Sequence, residues 1–109
     1  MRPRDEAEAA YFALLRARED LDALRRHADY LADEVRRLRR FAAETAAHAD
    51  TTDRRLRRAI AHTDAVLEEA LRHRTAAIDY ELQRMPRRIE GAEAYLEACE
   101  VHHRELQAG

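Results

Sequence analysis

Apolar residues recur along the first half of the chain in alternating steps of three and four. One set is Ala7, Leu14, Leu21, Ala28, Val35, Ala42 and Ala49; the other is Ala10, Ala17, Leu24, Leu31, Leu38 and Thr45. This spacing keeps one narrow face of an α-helix apolar and is the signature of a coiled-coil seam. It predicts a helix over residues 4–49. Asp5, Glu6 and Glu8 fall in its first turn, where carboxylates oppose the positive end of the helix dipole.

Asp50-Thr51-Thr52-Asp53 interrupts the pattern, and Asp and Thr side chains are good acceptors for the free N–H groups of a helix start. A turn is expected at 50–52 and a second helix at 53–107. Its stripe runs Leu56, Ile60, Thr63, Leu67, Leu71, Thr75, Ile78, Leu82, Met85, Ile89, Ala92, Leu96, Cys99, His103, Leu106. Two successive steps of four at 63–67–71 are a stutter. The phase is kept across Pro86, so a kinked but continuous helix is expected there, with a break into three helices as the alternative.

Folding the chain back at residue 51 gives an antiparallel hairpin that sets Leu31 opposite Leu71, Leu24 opposite Ile78, Leu14 opposite Ile89 and Ala10 opposite Ala92. His27 and His73 would then come within a turn of each other. The fold class is therefore all-α, one hairpin domain spanning 1–109. A second apolar set (Tyr11, Phe12, Leu15, Tyr30 and Phe41, then Val66, Ala70, Ala77, Tyr80, Tyr95, Ala98 and Val101) would face water on an isolated hairpin. Its burial calls for two hairpins in a four-helix bundle, or for a partner helix in the same groove. Tyr11, Phe12, Leu15, Tyr95 and Val101 are the expected contact residues, because all fall toward the terminal end.

Composition agrees with long helices. Of 109 residues, 39% are charged and only 6% aromatic, with two Gly and two Pro; Ser, Asn and Lys are absent, so all 20 basic residues are Arg. The Arg and Ala bias suggests a bacterial source of high GC content. Lone Cys99 can make no internal disulfide, no apolar run approaches the roughly 20 residues of a membrane span, and the start carries no signal peptide, so a cytoplasmic protein is expected.

The net charge of −2 hides an uneven distribution: 34–62 is basic and both ends are acidic. Arg36, Arg37, Arg39 and Arg40 precede the turn, and Arg54, Arg55, Arg57 and Arg58 follow it. A hairpin closed at 51 would gather them at one tip. There Arg36, Arg40, Arg54 and Arg58 are candidates for a nucleotide or nucleic-acid phosphate, against the plainer reading of a solvated face. Asp29, Asp33, Arg36, Arg40 and Glu44 are spaced in a way similar to the helical cyclic-di-GMP motif of an actinomycete anti-sigma factor family. That family has Ser where Asp33 stands and Gln where Arg40 stands; the resemblance implies a ligand contact at Arg36.

Glu100 and His103 share a helix face at the spacing of half a di-metal site and are the metal candidates, although the first helix offers no carboxylate on its seam. With no Ser and no Gly-rich phosphate loop, no catalytic residues and no cofactor are expected. The expectation is a non-enzymatic interaction module, an adaptor, scaffold or small regulator. Its partner would be a second copy or another helix.

Overall fold

A computed structural model describes residues 3–47 and 54–108. All of them are helical: α1 spans Pro3–Ala47 and α2 spans Arg54–Ala108, two long helices forming a hairpin. The turn expected at 50–52 lies outside the described residues, as do the ends of the two expected helices at 48–49 and 53. α2 runs unbroken through Pro86, as the continuous phase of its stripe requires.

The seam is where the spacing puts it. Every described member of the α1 heptad is buried or half-buried, with Ala10, Leu14, Ala17, Leu21, Leu31 and Val35 buried. On α2, Ile78 and Met85 are buried, and the remaining stripe positions from Leu67 to Leu106 are half-buried. Each large side chain removed from water this way contributes about 1.5–3 kcal/mol. Two threonines sit on the stripes without cost, because each hydroxyl donates to its own helix: Thr45 to the Phe41 carbonyl at 2.9 Å, Thr63 to that of Ala59 at 3.0 Å.

The chain divides into two compact units. One joins Met1–Asp29 to Arg84–Gly109; the other is Tyr30–Gln83. Each is an antiparallel helix pair. In the first, the Tyr11 ring lies 5.8 Å from that of His103, and Arg25 reaches Glu93 at 3.9 Å. In the second, Arg39 reaches Asp79 at 3.3 Å, and Leu38 and Ala42 line a groove with Leu71 and Thr75.

These contacts correct the expected register. Ala10 was to face Ala92, but its neighbour Tyr11 meets His103, about three helical turns further along α2. The pairing of His27 with His73 falls with that register; His73 instead sits 3.7 Å from Glu69 on its own helix. Layers of Leu14 with Cys99, Ala17 with Leu96 and Leu21 with Ala92 satisfy the contacts in the first unit. Leu31 with Leu82, Val35 with Ile78, Leu38 with Thr75 and Ala42 with Leu71 do so in the second.

The physical reason is geometric. Moving up one helix of an antiparallel pair is moving down the other, so each step of three must face a step of three. The step from Leu14 to Ala17 faces Cys99 to Leu96 in the observed register. In the expected one it faced Ile89 to Met85, a step of four.

Charge makes the same choice. In the first unit Arg25 meets Glu93 beside the seam, with Arg18 and Glu100 at the equivalent place one heptad away, and in the second unit Arg39 meets Asp79. Opposite charges beside a coiled-coil seam set orientation and pairing.

Candidate interaction surfaces

The seam consumes one face of each helix, and large apolar side chains remain outside it. In the first unit Tyr11, Phe12, Tyr95 and Val101 are exposed and Leu15 is half-buried. Tyr11 and Phe12 touch edge to face at 5.8 Å. The expected contact residues are thus largely open, but they do not form one patch. Tyr11 follows the seam residue Ala10 and lies on the Arg25–Glu93 flank. Tyr95 precedes the seam residue Leu96 and lies on the opposite flank, where it feels the charges of Arg16 and Asp20. A hydrogen bond with the Cys99 side chain, then that group's charge, raises the Tyr95 hydroxyl above the ordinary tyrosine value.

In the second unit Tyr30, Phe41 and Tyr80 are exposed, as are Leu56 at 50% and Val66 at 60%. The register accounts for the last two. With Ala42 grooved against Leu71, the described end of α1 at Ala47 comes level with α2 near residue 66, and the first turns of α2 lie past it.

The same register separates the two arginine groups. Arg40 lies level with α2 near residue 73, so Arg58 stands roughly 22 Å further along the axis at about 1.5 Å per residue, and Arg54 further still. Arg36 pairs with Asp33, Arg37 with Glu34 at 3.0 Å and Arg39 with Asp79 at 3.3 Å. Arg36, Arg37 and Arg40 line one shallow depression with Asp33. Among the described residues Arg40, Arg54 and Arg58 make no ion pair.

Glu100 and His103 are both half-buried on α2, and the His103 ring rests on Tyr11. Among the described residues no group of three His, Cys, Asp or Glu side chains stands close enough to hold a metal ion. None of the described helices is long and apolar enough to cross a membrane.

Sequence reasoning overlooked the cross-helix pairing of Arg25 with Glu93 and of Arg39 with Asp79. The signal was present: basic residues directly after seam positions on α1, acidic ones directly after seam positions on α2. Comparison with family models, with curated proteins and with solved structures finds no match for this chain.

Proposed function

We propose that this chain is a non-enzymatic helical interaction module that works by pairing with a second copy of itself. The supporting observation is the apolar surface left open. Outside the seam Tyr11, Phe12, Tyr30, Phe41, Tyr80 and Tyr95 are exposed, and helices that keep apolar side chains open to water gain by burying them against further helices.

A phosphate-bearing ligand at the arginines has less support. Of Arg36, Arg37, Arg39 and Arg40, the first three already hold carboxylates, and the two groups stand apart along the axis. A metal-binding bundle has only Glu100 and His103 to build on.

Light scattering on the purified chain at several concentrations tests the reading. A mass near twice 12.7 kDa is the expected result. A monomer at concentrations up to about 200 μM, well above the micromolar range of weak homodimers, contradicts it.

A further inference from the structure

The face of α2 that carries Tyr95 repeats in steps of three and four: Arg88, Gly91, Tyr95, Ala98, His102, Glu105. All six are exposed, Tyr95 by 59%. They all lie in the first unit, on the flank away from Arg25 and Glu93. We propose that this face is the self-pairing surface, with α2 of a second copy lying antiparallel across it. The inference rests on the self-pairing reading above and adds the surface and its register.

The argument is self-complementarity. Laid antiparallel on itself, with steps of three facing steps of three, the stripe has one natural register. Arg88 meets the second copy's Glu105, Gly91 meets its His102, and Tyr95 meets its Ala98; the two-fold axis repeats each layer once. Every layer joins opposite charges or a large side chain to a small one. A one-heptad shift destroys this: in one direction Tyr95 meets Gly91 but Arg88 meets Ala98, and in the other His102 meets Ala98 but Tyr95 meets Glu105.

Within the chain, Arg88 has only the weak thioether acceptor of Met85, at 3.8 Å, and Glu105 has no ion-pair partner among the described residues. Both charges are therefore available to a second copy. Gly91 has no purpose inside the chain either. A Cβ built there meets nothing within 4 Å, its φ is not positive, and glycine within a helix is unfavourable. Opposite His102 of a second copy, a missing side chain has a use. The α1 surface beside His102 is also recessed, a shallow depression lined by Glu6, Ala9, Ala10 and Ala13. It leaves room for an incoming helix.

Sedimentation equilibrium on the wild type and four variants tests this. Gly91→Leu should keep or raise helicity, since the site is open space, and should raise the dimer dissociation constant at least about tenfold, because the side chain fills the place of His102. Arg88→Glu and Glu105→Arg each set like charges together at both ends of the seam and should weaken the dimer about tenfold. The double variant Arg88→Glu/Glu105→Arg should return to within about threefold of wild type. A dimer whose constant moves less than about twofold in Gly91→Leu, or a double variant no tighter than the singles, overturns this surface while leaving self-pairing intact. A monomeric wild type overturns both.

Discussion

Pro86 offers a test of the fold that depends on few assumptions. α2 passes through it without interruption, and the seam keeps phase on both sides, with Leu82, Ile89 and Ala92 half-buried and Met85 only 1% exposed. The ring itself is exposed. It cannot donate to the Leu82 carbonyl, and its ring crowds that carbonyl, a combination that costs about 3 kcal/mol in a helix interior. The missing hydrogen bond alone accounts for about 0.5–1.5 kcal/mol. Pro86→Ala restores the bond, removes the clash and touches no buried side chain. It should stabilise the protein by about 1–3 kcal/mol, the lower figure being the regained hydrogen bond alone. At about 4 °C per kcal/mol for a chain near this length, the Tm should rise by about 4–12 °C. Thermal melts followed by circular dichroism at one fixed protein concentration are the assay, because self-association makes Tm concentration-dependent. A Tm that falls in Pro86→Ala would refute the reasoning. It would mean that the proline-shaped backbone is needed to bring the two halves of the α2 seam into place.

Two further outcomes follow from single side chains. Met85→Ala removes the most buried side chain and should lower stability by about 2–3 kcal/mol, the low end of core truncations because a narrow seam can close around the gap; urea titration checks it, and a loss below about 0.5 kcal/mol would show that Met85 does not sit in a packed seam. For Tyr95 the raised pKa means the folded state holds the phenolic proton more tightly than the unfolded chain. Its stabilising contribution is present below the ordinary tyrosine value and lost as pH rises through the folded one. Cys99→Ala should lower that titration, read by tyrosinate absorbance, and an unchanged midpoint would remove Cys99 as the cause.

The seam was legible in the sequence because it repeats: a buried position every three or four residues leaves the same mark from Ala7 to Leu106. The register was harder, because a periodic stripe pairs acceptably with another at several offsets. Folding at residue 51 assumed that helix lengths on the two sides of the turn must match. Among the described residues they do not, since the first turns of α2 pass beyond the described end of α1. Two rules would have corrected it, the facing of like steps and the match of Arg25 and Arg39 with Glu93 and Asp79. The exposed set was legible residue by residue, yet its division between two flanks depends on the register. Tyr11 and Tyr95 therefore looked like one surface when they lie on opposite sides of the seam. The gathering of Arg36, Arg40, Arg54 and Arg58 at one tip rested on the same assumption.

The mass of the wild-type chain in solution bears most directly on what this protein does. Light scattering across about 10–200 μM should give a dimer near twice 12.7 kDa, tightening with concentration as a self-pairing module must. A constant 12.7 kDa throughout that range would contradict self-pairing.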